Sequence, residues 1–203
     1  MAKKNAFNPP RGSIEVICGP MFAGKSEELL RRLNRLQYAD VDYILFKPYV
    51  DTRTVGTAKS RDGRQQNAVT VKRSAEILEV LEKNKNKDVA VVAVDEAQFF
   101  DDRLGEVCEH LANQGHLVYV AGLDLDFRGV PFKSLLNVFA FADKVTKLTA
   151  ICTECGAPAT RTQRIIDGKP ASYHSPVVKI GNVETYSARC REHHIVKDRP
   201  KAK

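Results

Sequence analysis

The chain has 203 residues, 43% apolar and 28% charged, an ordinary globular composition that excludes a disordered or collagen-like chain. A chain of this length buries roughly 70% of its unfolded surface, so its core needs no disulfides. Its longest apolar run, Val89 to Val94, is six residues, against about 18 for a bilayer span. After Lys3-Lys4 the chain reads Asn-Ala-Phe-Asn-Pro-Pro, without the apolar stretch of a signal peptide. The expectation is a cytoplasmic protein without a membrane partner. Of the net charge of +7, residues 1–11 carry +3 and residues 197–203 carry +3, which leaves +1 between them. Both ends are expected to be flexible basic tails. A nucleic-acid binder needs its basic face on the folded body, so no stable nucleic-acid partner is expected.

In chain order, Ser13 to Cys18 is a β-rich run ending at Gly-Pro, a strand followed by a turn. Leucines 29, 30, 33 and 36 recur at helical spacing and predict a helix from Lys25 to Tyr38. Val41 to Phe46 returns to strand character. Residues 51–68 are polar and rich in Gly, Arg and Thr, which predicts a mobile loop or hairpin. Ile77, Leu78 and Leu81 make a second helix with Ser74 as its cap. Val89 to Val94 fits a strand buried on both faces of a parallel sheet. A helix (Leu104 to Ala112), a strand (His116 to Leu123), a helix (Ser134 to Ala142) and a last strand (Lys144 to Ala150) follow. Strands alternating with helices indicate an α/β fold with a mainly parallel sheet. After about residue 150 the helical periodicity stops, and Cys, Gly, Pro, Thr and Tyr suggest a small metal-pinned subdomain. The division expected is 12–150 for the α/β domain and 151–196 for that subdomain.

The strongest chemical signal is Gly19-Pro20-Met21-Phe22-Ala23-Gly24-Lys25-Ser26, a GxxxxGK[ST] loop between a strand and a helix. Its glycines let backbone N–H groups close around phosphate oxygens at a helix N-terminus. Lys25 can reach the β- and γ-phosphates of ATP, and the Ser26 hydroxyl can ligate Mg²⁺. Asp95 follows four apolar residues at the carboxyl end of a buried strand, where it can hold Mg²⁺ directly or through a water. Glu96 is a candidate base or water-orienting group; both acids could instead cap the next helix. The aromatic pairs Phe99-Phe100 and Phe127/Phe132 follow the ends of two strands. They can line a pocket for a flat heterocycle or serve as core packing. Cys152 and Cys155, then 34 residues, then Cys190 and His193 supply three thiolates and an imidazole. That is a complete tetrahedral set for structural zinc. His194 is the alternative fourth ligand. Cys18 and Cys108 read as small buried hydrophobes.

From Gly12 to His194 the chain resembles the type II thymidine kinases, cytosolic enzymes with a RecA-like core and a zinc-bearing lasso. The motifs that carry the likeness are GPMFAGKS, VDEAQFF, AGLDLDFRGVPF and the Cys152/Cys155 and Cys190/His193 pairs, in that order. The resemblance implies Mg-dependent transfer of the ATP γ-phosphoryl to the 5′-hydroxyl of thymidine, and of deoxyuridine. It makes Glu96 the base facing that hydroxyl. It assigns Met21, Phe99, Leu123, Phe127 and Phe132 to the thymine. Val177, Lys179, Ile180, Gly181 and Tyr186 become the lasso over the base, with Asn182 where many members have a second glycine. It sets Asp62, Arg64 and Arg164 beside the phosphates; the other reading of Arg61, Arg64 and Arg164 is solvated loop charge. It also implies a homotetramer and feedback inhibition by thymidine triphosphate (dTTP). Two other readings share parts of this pattern: a P-loop ATPase whose zinc lobe grips nucleic acid, and a kinase for another deoxynucleoside.

Overall fold

The computed structural model describes residues 12–49, 57–59, 65–84, 89–177 and 185–201, with only the backbone given at 57–59, 65 and 66. Five strands form most of one sheet: β1 (Ser13–Cys18), β2 (Tyr43–Pro48), β6 (Val91–Val94), β7 (Leu117–Gly122) and the more polar edge strand β8 (Lys144–Lys147). A short strand, β5 (Val69–Val71), completes it. The order is β5-β2-β6-β7-β1-β8, and every pairing is parallel. The fold is α/β, as the alternation of elements predicts.

Side-chain alternation along the strands divides the core into two layers. Ile14, Val16 and Cys18 of β1 point to one face, with Val92, Val94, Val118 and Val120. That face is covered by α2 (Ala75–Lys83), α3 (Leu104–Asn113) and α4 (Lys133–Phe141), through Ile77, Leu104, Leu111, Leu135 and Val138. Ile17, between them in sequence, points to the other face, where α1 (Lys25–Tyr38) lays down Leu29, Leu30, Leu33 and Leu36. The four leucines of the predicted helix are all buried. Helices α3 and α4 approach closely enough that a Cβ on Gly105 would lie 2.7 Å from the backbone carbon of Asn137.

The predicted elements shift by one or two residues at most ends, and two expectations change. Ser74 does not cap α2 with its side chain. Its hydroxyl donates instead to Asp101 Oδ1 at 2.6 Å, and its N–H to Asp101 Oδ2 at 2.8 Å. Ser74 has helical φ and ψ of −57° and −36° rather than the extended backbone of a capping residue, and its hydroxyl is free to donate to a charged acceptor. The polar stretch 51–68 lies partly outside the described residues. Its described backbone, β3 (Thr57–Lys59) and β4 (Gln65–Asn67), pairs antiparallel as a hairpin does. The single strand expected from Lys144 to Ala150 is split, because Leu148 and Thr149 leave the sheet before β9 (Ala150–Ile151).

Beyond β8 the chain makes small antiparallel units. Strand β9 pairs with β10 (Pro158–Ala159). Strand β11 (Arg161–Ile166) sits between β12 (Lys169–Pro170) and β13 (Thr185–Arg189). The lobe's own apolar cluster is Ala150, Cys152, Ala159 and Ala188. Four small side chains bury too little area to hold such a lobe, so it calls for a staple. Lys197 and Asp198, counted among the expected tail residues, are tied to the lobe: Tyr173 N donates to Lys197 O at 2.7 Å and Ser172 Oγ to Asp198 Oδ2 at 2.9 Å.

Candidate functional site

The parallel sheet brings the carboxyl ends of β2, β6, β7, β1 and β8 to one edge, where open α/β sheets bind their ligands. The loop 19–26 leaves β1 there and opens α1. Gly19 at φ 144° has no room for a side chain, since a Cβ would lie 2.4 Å from Leu148 O. Gly24 precedes the first helical turn in the left-handed region, a conformation glycine adopts without cost. Lys25 Nζ donates to Pro20 O at 2.7 Å. Burial pulls the Lys25 pKa below its ordinary value, while Glu96, Asp95 and Asp124 oppose that shift.

Asp95 is buried where β6 ends, its N–H bonded to Phe46 O at 2.9 Å. Ser26 Oγ lies 3.4 Å from each of its carboxylate oxygens. Burial, then the charge of Glu96, pushes the Asp95 carboxyl up to about 6. Lys47, the penultimate residue of β2, opposes that rise with its Nζ 3.6 Å from Asp95 Oδ2. The loop and the two acids of the sequence reading therefore meet at one place.

Glu96 takes a left-handed conformation, φ 54° and ψ 40°, rare for a residue with a Cβ and a form of strain often kept at functional sites. It makes no side-chain helix cap. Its carboxylate accepts a short hydrogen bond from Gln98 Nε2, and Gln98 Oε1 accepts from Leu123 N at 2.9 Å. The buried amide thus ties Glu96 to the end of β7. Gly122 leaves space for it: a Cβ there would be 2.9 Å from Gln98 Oε1.

The loop after β7 is shaped by Asp126, whose Oδ1 accepts from Arg128 N and Val130 N at 2.8 and 3.0 Å. This turn leaves Phe127 buried and Phe132 half-buried. Arg164, on β11, is wholly buried rather than a solvated charge. Its guanidinium lies 5.0 Å from the Phe127 ring centroid and donates to Pro176 O, next to the expected base-contacting Val177. Across the strand pair, Arg164 is in register with Tyr186. Met21 N donates to Thr162 Oγ1 at 3.0 Å, joining the phosphate-type loop to β11. Asp62, Arg64, Lys179, Ile180 and Gly181 lie outside the described residues.

The metal cluster comes together from both ends of the lobe. Cys152 and Cys155 sit in the turn between β9 and β10, while Cys190 and His193 follow β13. Their ligand atoms all lie within 4.8 Å of one another. Cys155 Sγ is 3.9 Å from Cys190 Sγ, and His193 Nδ1 is 3.2 Å from Cys190 Sγ and 3.9 Å from Cys152 Sγ. A tetrahedron with Zn–S bonds of about 2.3 Å spaces its sulfurs by roughly 3.8 Å. Three cysteines and one histidine so arranged can hold a metal ion and fit zinc. His194 is engaged elsewhere, its Nε2 2.8 Å from Phe127 O.

Sequence reasoning did not single out Lys47, Gln98, Asp124, Lys147 or Thr162. Asp124 is buried just beyond β7, with Lys147 Nζ 2.6 Å from its Oδ2. Gln98 lies two residues from Glu96 in the motif itself, whereas Lys47, Asp124, Lys147 and Thr162 meet the site through tertiary contacts. Among the described residues, no helix is long and apolar enough to cross a membrane.

Comparison with known proteins agrees with this geometry. A family model described as "Thymidine kinase" matches residues 12–194. A thymidine kinase of Ureaplasma parvum serovar 3 is 53% identical over 201 residues, covering 98% of this chain and 90% of the relative. One of Ureaplasma urealyticum serovar 10 is 52% identical with the same coverage. One of Mycoplasmoides gallisepticum is 48% identical, covering 98% of this chain and 88% of the relative.

Proposed function

The chain belongs to the thymidine kinase family and phosphorylates thymidine, and we propose that the γ-phosphoryl passes from ATP on the 19–26 loop to the 5′-hydroxyl facing Glu96. The observation that carries this assignment of roles is the meeting of Lys25, Ser26, Asp95 and Glu96 at the carboxyl edge of the sheet. In this reading the backbone from Gly19 to Ser26 wraps the phosphates. Lys25 leaves Pro20 O to meet the β- and γ-oxygens. Charge spreads over those oxygens in a loose transition state, so fixed donors and a cation lower the barrier.

Ser26 and Asp95 would hold Mg²⁺. Their 3.4 Å separation is close to the roughly 3 Å between neighbouring ligands of an octahedral ion with bonds of about 2.1 Å. When bound, the ion neutralises charge on the transferring phosphates. Glu96 accepts the proton of the 5′-hydroxyl and aims that oxygen; a loose transition state needs orientation more than early deprotonation. Gln98 holds the carboxylate in one rotamer for that task.

For the nucleoside, the reading puts Met21, Phe99, Leu123, Phe127 and Phe132 around thymine. Val177, Lys179, Ile180, Gly181 and Tyr186 serve as the cover. Thymine presents two carbonyl acceptors and one N–H, all of which backbone groups can satisfy. Arg164, with Asp62 and Arg64, belongs to the phosphate side. The 12–150 unit is then the ATP-binding domain. The 151–196 unit is the cover, pinned by zinc with four protein ligands and no open position for chemistry. A homotetramer, inhibition by dTTP, acceptance of deoxyuridine and a cytoplasmic location complete the proposal.

A coupled ADP-release assay with Mg·ATP, run with thymidine, deoxycytidine, deoxyadenosine and single-stranded DNA, tests it. Turnover with thymidine and loss of turnover in Glu96→Gln are expected. ADP release dependent on DNA, or full turnover in Glu96→Gln, would overturn the roles proposed.

A further inference from the structure

The carboxyl edge of the sheet holds a cation that phosphoryl transfer, as described, does not use. Lys47 lies near the end of β2, beside β6 in the sheet. Its side chain is only 14% exposed, and its Nζ is 3.6 Å from Asp95 Oδ2. Lys25, the ammonium of the loop, donates to Pro20 O instead of pairing with this acid. Asp95 is therefore approached by both Ser26 Oγ and Lys47 Nζ.

A carboxylate this deeply buried is costly to keep charged without a counter-ion. A divalent ion at Asp95 and Ser26 supplies one, but it needs the same oxygens and the same charge that Lys47 now neutralises. Two cations compete for one carboxylate. A lysine stem is long and flexible, so its ammonium can withdraw without moving the strand.

We propose that Lys47 is a positioning residue that stands in for the divalent ion. It pairs with Asp95 in the nucleotide-free protein and gives the carboxylate up to the ion that arrives with the nucleotide. The inference rests on the reading that Asp95 and Ser26 hold the Mg²⁺ of Mg·ATP. Its consequence is that free Mg²⁺ binds weakly to the empty protein. Coupling of this kind is reciprocal: whatever Mg²⁺ takes from the Lys47–Asp95 pair, removal of Lys47 returns to Mg²⁺ affinity.

The test uses the full chain without nucleotide and follows thermal unfolding as MgCl₂ is added. A pH of about 8 is chosen, where protons compete least for the carboxylate. In Lys47→Met the Mg²⁺ concentration for half-maximal stabilisation falls about tenfold relative to the parent, within the usual range of coupling between sites. Lys47→Arg, which keeps the charge, titrates like the parent, and Lys47→Met combined with Asp95→Asn loses the response. Should Lys47→Met fail to fold, Lys47→Gln makes the same comparison while still offering Asp95 a hydrogen bond. A parent-like titration of the neutral variant overturns the proposal. If Asp95→Asn at the same time abolishes Mg-dependent ATP binding, the magnesium reading stands alone. If Asp95→Asn leaves Mg-dependent ATP binding unchanged, the magnesium reading itself falls.

Discussion

Met21 N donates to Thr162 Oγ1 at 3.0 Å, across 141 residues of sequence. Through this bond the loop proposed to hold ATP is fastened to β11, the strand that also carries Arg164. Ala23 of the same loop also packs on the lobe's cluster of Ala150, Cys152, Ala159 and Ala188, so loop and lobe are held together by a polar and an apolar contact.

Thr162→Val keeps the shape and removes the acceptor. It leaves a half-buried N–H unpaired, so a stability loss of about 1–2 kcal/mol is expected. Thr162→Ser, which keeps the hydroxyl, should recover most of it. Thermal and urea unfolding of both variants check this; equal stability in the two would show that the bond is not what matters.

Lys25→Ala and Glu96→Gln should each lower kcat by about 10²-fold or more, the range for a lost phosphate cation or general base. Circular dichroism should be unchanged, since neither side chain belongs to an apolar core cluster. Steady-state kinetics with thymidine measure the effect.

Cys152→Ser should act on stability before chemistry. The lobe's cluster of Ala150, Cys152, Ala159 and Ala188 is small, so a metal held by the Cys/His set would carry much of its folding energy. Metal analysis should show loss of zinc. A strong chelator applied to the parent should lower the melting temperature to near that of the variant. A zinc-free variant that melts with the parent would dismiss the clamp.

Glu28 offers a pH test away from the site. Hydrogen bonds from Arg31, and then from Arg32, hold its carboxyl down to about 2 against an ordinary 4.5. Arg32 Nη1 also pairs with Glu15 of β1 at 2.8 Å, fastening α1 to the sheet. A depressed acid stabilises the fold above its unfolded pKa, and that contribution disappears as pH falls from about 4.5 towards 2. Glu28→Gln should unfold more readily than the parent at neutral pH, and the gap should close across that window. Denaturant midpoints at a series of pH values would reveal it. A constant gap would mean that packing, not charge, made the difference.

Much of this fold and site could be read along the chain. The 19–26 loop works through consecutive backbone N–H groups, so its spacing alone exposes it. Leucines 29, 30, 33 and 36 announce α1 because helical period and burial coincide. The run ending at Asp95 announces a buried strand with an acid at its functional end. The CxxC and CxxH pairs announce a tetrahedral site because ligand geometry demands those spacings. Where the reading slipped, the cause was a remote partner in one case and a very short element in the other. Ser74 turned from its own helix to Asp101, and β5 is three residues long, short enough to be hidden by the polar stretch before it.

Sequence by itself thus determined the class of fold, the glycine-rich loop at 19–26, the acidic strand end and the candidate metal set, all of which depend on local spacing. The tertiary structure alone decided which distant side chains meet. The order β5-β2-β6-β7-β1-β8 sets Lys47 beside Asp95. The β11–β13 pairing buries Arg164 against Phe127. The turn at Phe127 claims His194 and leaves His193 for the metal. The physical reason is that strand order and lobe packing are settled by burial summed over the whole chain, and no local window contains that sum.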